Sequence, residues 1–280
     1  MDKIENNRAL RALIAAWRKA DQRIAFVPTM GNLHRGHLSL VERARAEADR
    51  VIVSIFVNPL QFGPSEDFAR YPRTLEQDVA ALESVGADAV YTPAVTEIYP
   101  RDLAAMTFVE VPGLSDILCG AYRPGHFRGV ATVVNKLFNL VRPDVAIFGE
   151  KDFQQVLVIR RMAEDLAMPV AIVSAPTTRE SDGLAMSSRN GYLTPEQRKI
   201  APRLFAVLQD VRQRIRHGAR DYAAIESAGI DGLKAAGFRP DYLSVRRAAD
   251  LDSPRDTGDD LVILAAAYLG TTRLIDNVRV

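Results

Sequence analysis

The sequence predicts an α/β fold: a parallel sheet doubly wound with helices, followed by a smaller C-terminal α+β domain. Three observations predict it. Apolar strand patterns and 3.6-residue helix patterns alternate over residues 20–175, the order that builds a parallel sheet through right-handed crossovers. Residues 51–57, VIVSIFV, are apolar and β-branched almost throughout, as a strand covered on both faces requires. From Ala175 the alternation stops, and a polar stretch, helical patterns and three strand patterns follow.

The elements follow in order. Leu10, Leu13, Ile14 and Trp17 recur at helical spacing within residues 5–19 and predict an amphipathic opening helix. Residues 23–28, RIAFVP, read as a buried strand that Pro28 ends. A helix is expected over 34–48, with Leu40, Val41, Ala44 and Ala48 on one face. After the strand at 51–57, residues 58–74 hold three prolines and a glycine without periodicity. This is a long loop, and long loops in compact domains are often functional or mobile. A helix over 75–85 leads to a strand at 88–91, and a weaker strand pattern covers 107–111. A helix over 128–141, a strand at 144–148, a helix over 151–166 and a strand at 170–174 complete a first domain of residues 1–175. In a second domain, residues 176–280, Thr194 and Pro195 read as the cap and first residue of a helix. A further helix is expected over 222–236, with strands at 242–246, 262–268 and 272–275.

Composition narrows the function classes. Lys plus Arg number 36 against 35 Asp plus Glu, a formal charge of +1. Nucleic-acid backbone binding needs a clustered cationic excess, so no nucleic-acid partner is expected. The single cysteine, Cys119, excludes an intrachain disulfide and a thiol zinc site and suits a reduced compartment. The opening MDKIENNRAL has no apolar core or cleavage-site pattern. No stretch approaches the ~18 apolar residues that span a bilayer. No membrane association and a cytoplasmic location are expected.

Three segments carry chemistry. Residues 28–37 read Pro-Thr-Met-Gly-Asn-Leu-His-Arg-Gly-His: a strand end, a glycine turn and a helix start. His34 and His37 share a helical face. That face is at a helix N-terminus, where free N–H groups and the macrodipole favour phosphate. Gly36 lets a nucleotide approach the backbone, and imidazoles there can donate to charge building on phosphates. Either histidine alone reads as a surface residue; the whole strand–turn–HxGH–helix unit reads as a nucleotide site. Gly149, Glu150, Lys151, Asp152 and Gln155 again follow a strand and open a helix, where Lys151, Asp152 and Gln155 can converge. A lysine there opposes the helix dipole, a cost that a bound phosphate offsets; Asp152 suits either a ribose or the positioning of Mg²⁺. Met186, Ser187, Ser188, Arg189 and Asn190 place hydroxyls beside a guanidinium, groups that fit phosphate oxygens.

Together these segments resemble the nucleotidyltransferase superfamily that includes class I aminoacyl-tRNA synthetases. The HxGH motif matches, and residues 186–189 resemble its mobile KMSKS-type loop without the lysines, leaving phosphate charge to Lys151 and Arg189. Further segments narrow the family: FVNPLQF at 56–62, YPR at 71–73, RPGHFRGV at 123–130, GEKDFQQ at 149–155 and MSSRN at 186–190 all look like the pantothenate synthetase family, over essentially the whole chain. The resemblance implies a Rossmann-like nucleotide- and pantoate-binding domain over 1–175, with 176–280 contributing the MSSRN loop. It implies a homodimeric, AMP-forming ligase with the small-molecule substrates ATP (with Mg²⁺), pantoate and β-alanine, joined through a pantoyl adenylate. Met30, Gly31, Asn32, Leu33, His34, Arg35, Gly36 and His37 would hold ATP, with Gly149, Glu150, Lys151 and Asp152, and with Thr178, Met186, Ser187, Ser188 and Arg189. Gln61, Gln155 and Asn58 would hold pantoate, and Gln61 would also touch β-alanine. His34, His37, Lys151 and Arg189 would be catalytic, His37 as proton donor. The residues that would bind Mg²⁺ are left unassigned. The loop from Gln61 to Thr74 is expected to act as a lid that keeps a reactive adenylate from water. Cys119 reads as a small buried hydrophobe more readily than as a reactive thiol, and His126, set among glycines, reads either as a border of the site or as loop packing. Two rival readings are a nucleotidyltransferase whose product keeps the nucleotide, and a module that binds ATP without turnover.

Overall fold

A computed structural model describes residues 1–64, 66–255 and 258–280. Ser65, inside the predicted lid, lies outside the described residues. The chain divides into two compact units, one of Met1–Glu150 with Val158–Pro176, the other of Lys151–Leu157 with Thr177–Val280. The segment Lys151–Leu157, read above as part of the first domain, groups with the second unit.

Among the described residues, the first unit contains β1 (Asp2–Ile4), α1 (Asn7–Lys19), β2 (Ile24–Thr29), α2 (Arg35–Arg45), β3 (Arg50–Ile55), α3 (Leu75–Ser84) and β4 (Ala89–Tyr91). The short helices α4 (Val95–Ile98) and α5 (Cys119–Tyr122) follow, then α6 (His126–Val141), β5 (Val145–Gly149), α7 (Phe153–Asp165) and β6 (Ala171–Ala175). The start of α7 belongs to the second unit. The strands form one parallel sheet in the order β1-β4-β3-β2-β5-β6. Its strands are apolar on both faces because helices cover both. In β2, Ala25 and Val27 pack with Val41 and Ala44 of α2 and Leu82 of α3. Phe26 points the other way and meets Phe138 of α6 edge-on at 6.4 Å. Each fully buried Val, Leu or Phe side chain among these contributes about 1.5–3 kcal/mol. On α1 the buried residues are Leu10, Ile14 and Trp17, and Asn6 caps the helix by accepting from the Ala9 N–H at 2.9 Å.

The structure corrects two readings in this unit. Pro28 does not end β2 but lies inside it, paired in register with Ser54 of β3. Parallel strands turn alternate residues to alternate neighbours, and Thr29 accepts from Phe56 on the β3 side. Pro28, which has no N–H, therefore faces β5, where the described ladder stops after Phe26↔Ala146. The second correction concerns residues 107–111, which are described as irregular rather than as a strand. The Val109 N–H donates to Thr132 Oγ1 of α6 at 3.0 Å, and the Arg128 guanidinium sits 4.8 Å over the Phe108 ring. The segment thus follows a helix and joins no sheet edge. The edge strand β1, only three residues long, is too short to show a period and is absent from the sequence reading.

The second unit contains α8 (Pro195–Ile200), α9 (Arg203–Arg216), α10 (Tyr222–Ala235) and the antiparallel sheet β7 (Arg239–Arg247), β8 (Leu261–Leu269) and β9 (Thr272–Arg279). Thr194 caps α8 in a capping box with Gln197 and with Pro195 in the first turn, as read from sequence. Leu204, Leu208 and Val211 of α9 and Leu233 of α10 pack with Leu243, Ile263 and Leu274 of the sheet. Gly229 of α10 is required here, because a Cβ would stand 2.7 Å from Leu243 Cδ1.

Candidate active site

In the first unit the phosphate-binding candidates collect at one place in the sheet. From β2 the chain crosses to β3 on one side; from β5 it crosses to β6 on the other. The carboxyl ends of β2 and β5 therefore flank the topological switch point, where ligands of such sheets bind. The HxGH turn leaves β2 there, and Gly149 ends β5 there. A Cβ on Gly149 would lie 3.9 Å from Leu40 of α2, so the β5 end abuts the HxGH helix. Glu150 accepts from the Ser174 hydroxyl of β6 at 2.8 Å.

The turn at 30–33 is fixed by a residue the sequence did not flag. Asp78 on α3 is 2% exposed. Its carboxylate accepts from the Asn32 N–H at 2.9 Å, the Leu33 N–H at 2.7 Å and the Thr74 hydroxyl at 3.2 Å. Gly31 has φ +82°, and a Cβ there would come within 3.0 Å of Asp78 Oδ2, so glycine is needed twice over.

His34 is the N-cap of α2, and the two histidines make a capping box. The Gly36 N–H donates to His34 Nδ1 at 3.1 Å, and the His34 N–H donates to His37 Nδ1 at 3.3 Å. The ring centroids are 4.1 Å apart. Because both Nδ1 atoms accept, the neutral rings carry their protons on Nε2. Each ring thus keeps an Nε2–H as its donor.

Gln61 ends a short 3₁₀ turn, Pro59–Gln61, capped by Asn58. Its Nε2 donates to the Met30 sulfur at 2.9 Å, a weak acceptor that a substrate hydroxyl or carboxylate can displace. Its Oε1 accepts from Asn58 Nδ2 at 3.1 Å. Asn58 itself is 1% exposed. Its Nδ2 also donates to the Gly129 carbonyl at 3.0 Å, and its Oδ1 accepts from the Tyr99 hydroxyl at 2.7 Å and the Leu60 N–H at 3.3 Å. Expected to contact pantoate directly, Asn58 has its amide engaged inside the protein, which suits positioning of Gln61. Burial raises the Tyr99 hydroxyl above its ordinary pKa, keeping it a proton donor. A separate cavity of about 550 Å³, lined by Arg18, Asn139, Arg142 and Met168, lies at the amino ends of β5 and β6, away from these groups.

In the second unit, Lys151 Nζ is 3.4 Å from Asp152 Oδ2 and its side chain is 20% exposed. Its carbonyl accepts from Asn277 Nδ2 of β9 at 3.0 Å. Arg179, next to Thr178, makes a two-pronged pair with buried Asp276 at 2.7 and 2.9 Å and donates to the Asn277 carbonyl at 3.2 Å. Burial pushes the Asp276 carboxyl up, against the opposing pull of Arg179 and Lys151. The Met186 N–H donates to the Thr178 carbonyl at 3.0 Å. Ser187 caps a 3₁₀ turn, Ser188–Tyr192, by accepting from the Arg189 N–H at 3.2 Å. Gln155 lies in the first turn of α7, half-buried. One unit thus gathers Met30 to His37, Asn58, Gln61, Gly149 and Glu150; the other gathers Lys151, Asp152, Gln155, Thr178 and Met186 to Arg189.

Comparison with known proteins decides the family. The family model described as pantoate-beta-alanine ligase matches residues 2–279. The chain belongs to the pantoate-β-alanine ligase family. The pantothenate synthetase of Thioalkalivibrio sulfidiphilus is 59% identical over 280 residues, covering 100% of this chain and 98% of that one. That of Methylococcus capsulatus is 60% identical over 269 residues, covering 96% and 94%. The crystal structure of the Thermus thermophilus pantothenate synthetase superposes with a TM-score of 0.93 at 48% identity, covering 99% of each chain. The Francisella tularensis pantoate-β-alanine ligase, solved with beta-gamma ATP and β-alanine, gives 0.85 at 34% identity, covering 100% of this chain and 97% of that one.

As a family member the chain carries groups that the motif search passed over: Asp78, Tyr99, and the Arg179–Asp276 pair. Each supports a motif residue from a distant part of the sequence, so none repeats at a local spacing. The only sequence signal was their type, a charged or hydroxyl residue in mixed polar and apolar segments such as 75–82 and 88–99.

Proposed function

We propose that this chain forms pantothenate from pantoate and β-alanine, using ATP, through a pantoyl adenylate. A pantoate carboxylate oxygen bonds to the α-phosphorus of ATP, and pyrophosphate leaves with the electrons of the broken P–O bond. The β-alanine amine then attacks the activated carbonyl, the C–O bond to phosphate breaks, and AMP leaves as the amine loses a proton. The observation that carries this reading is the double-histidine capping box at the switch point, in a chain that the ligase family matches from end to end.

In this reading His34 and His37 donate Nε2–H in hydrogen bonds to phosphate oxygens as negative charge builds, with His37 the donor to the leaving pyrophosphate. Lys151 and Arg189 supply positive charge, and Asp152, Thr178, Ser187 and Ser188 complete the ATP ligands. Gln61 and Gln155 bind pantoate by hydrogen bonds alone, which orient a carboxylate without pairing its charge. Catalysis is then positioning and electrostatic stabilisation, with no protein nucleophile. Among the described residues no group of three His, Cys, Asp or Glu side chains is arranged to hold a metal; Mg²⁺ enters this reading on the triphosphate of ATP. No described helix is long and apolar enough to cross a membrane. A homodimer in the cytoplasm completes the proposal, and sedimentation of the purified protein tests the dimer.

The decisive experiment omits one reactant at a time from ATP, Mg²⁺, pantoate and β-alanine and identifies products by mass. Pyrophosphate release should need pantoate, and AMP and pantothenate should need β-alanine as well. A product that retains the nucleotide, or ATP binding without turnover, would overturn the reading.

A further inference from the structure

We infer that Arg123 and His126 are positioning residues for the pantoate-binding glutamine, holding Gln61 by its main-chain carbonyl while Arg123 staples the segment after it through Glu66. The inference rests on the reading of Gln61 as a substrate ligand and extends it to residues with no assigned part.

The Gln61 carbonyl lies 2.8 Å from His126 Nδ1 and 3.2 Å from Arg123 Nη2. A carbonyl only accepts, so Nδ1 carries a proton. His126 Nε2 lies 3.0 Å from Arg123 Nη1, and a guanidinium only donates. Nε2 therefore accepts, and the ring is neutral in one tautomer. The rest of the guanidinium fork meets Glu66: Nε donates to Oε1 at 2.7 Å and Nη2 to Oε2 at 2.5 Å. One side chain thus joins three partners, and the ion pair is largely shielded, with side chains 15% and 23% exposed.

These contacts complete the grip on Gln61. Its side chain is held by Met30 and Asn58 and its main chain by Arg123 and His126. Gly129 of α6 lets that turn come close, since a Cβ there would stand 2.2 Å from the Leu60 carbonyl oxygen and 2.8 Å from the Gln61 nitrogen. Beyond Gln61, Phe62 packs on Phe68 at 5.3 Å and on Tyr71 at 5.8 Å, so the segment has a small core of its own. Arg123 fastens that core at Glu66 and the substrate glutamine at its carbonyl. A lysine, a single point charge, cannot serve the carboxylate fork, the carbonyl and the imidazole together.

The test is steady-state kinetics of Arg123→Ala, Arg123→Lys, Glu66→Gln, His126→Ala and His126→Asn, with Gln61→Ala as control and thermal midpoints alongside. A displacement of about 1 Å at a reacting group costs up to about 10²-fold. Arg123→Ala and Arg123→Lys should raise KM for pantoate about tenfold or more and lower kcat, with KM for ATP within about twofold of the parent. His126→Ala should move the same way. His126→Asn, whose amide can still donate to the Gln61 carbonyl, should recover most of the loss. Glu66→Gln, which keeps the shape and removes the charge, should fall between. A merely structural role would lower the thermal midpoint and raise both KM values together, without rescue by asparagine, and that result overturns the inference. If Arg123→Ala does not fold, the His126 pair and Glu66→Gln decide alone. If Gln61→Ala itself leaves KM for pantoate unchanged, the reading of Gln61 has failed. If Gln61→Ala raises it and the Arg123 and His126 variants do not, only the present inference has failed.

Discussion

Replacing Asp78 tests whether the turn before the HxGH helix is built from a distance. The carboxylate accepts from the Asn32 and Leu33 amides at 2.9 and 2.7 Å while 2% exposed. Hydrogen bonds to a charged group are each worth about 1.5–3 kcal/mol, and a buried amide left without a partner costs a similar amount. Both amides belong to half-buried residues, so the lower end applies, and Asp78→Ala should cost about 3 kcal/mol. In a unit of this size that is roughly 6–12 °C in thermal midpoint. Asp78→Asn should recover only part, because its amide presents one acceptor and sets an NH₂ against the second backbone donor. The single tryptophan, Trp17, is buried in the same unit, so its fluorescence reports the melt. Pyrophosphate exchange measured in parallel should show a raised KM for ATP, because the turn leads directly into His34. A variant that melts within about 2 °C of the parent, or that melts early yet keeps its KM for ATP, would refute the reasoning.

Other outcomes follow from the same geometry. His37→Asn keeps a side-chain acceptor for the His34 N–H and loses Nε2–H, so it should fold normally while adenylate formation falls about 10²–10³-fold; His37→Ala should lose the cap as well, by about 1 kcal/mol, which denaturant titration separates from the rate. Gly129→Ala forces its new methyl into the Leu60–Gln61 backbone, and overpacking of that kind costs about 1–3 kcal/mol; a larger rise in KM for pantoate than for ATP, relative to the parent, is the expected signature. At Glu66, desolvation pushes the carboxyl up, but hydrogen bonds and charge from Arg123, helped by the Gly63 backbone, more than offset it, so it sits below its ordinary value. A carboxyl lowered by folding stabilises above its unfolded pKa, and that contribution is lost as pH falls through the folded one. Cleavage of the segment after Gln61 by an acid-tolerant protease should accelerate over that interval, and Glu66→Gln should remove the acceleration.

Much of the fold was legible because it rests on local pattern. The 51–57 run and the alternation after it need no distant partner to be read, and Thr194-Pro195 announces a helix start by its own chemistry. The irregular 107–111 segment shows the limit: its β-branched residues suit a strand, but Thr132 and Arg128 on α6 take up its groups first. The HxGH and MSSRN segments were equally readable, since a turn at a helix start is a local object. What holds them was not. Asp78 acts on an amide 46 positions away and Arg123 on a carboxylate 57 positions away, and each looks in sequence like an ordinary surface charge. Asn58 was visible as polar but not as buried.

Pro28 has a wider consequence. A residue able to donate at that position would let β2 and β5 zip together by another rung, and the mouth between them would narrow. An imino acid cannot, so the seam stays parted beside the proposed nucleotide site. The chain keeps its doorway ajar by omitting one hydrogen atom, and Pro28→Val would be a direct way to try closing it.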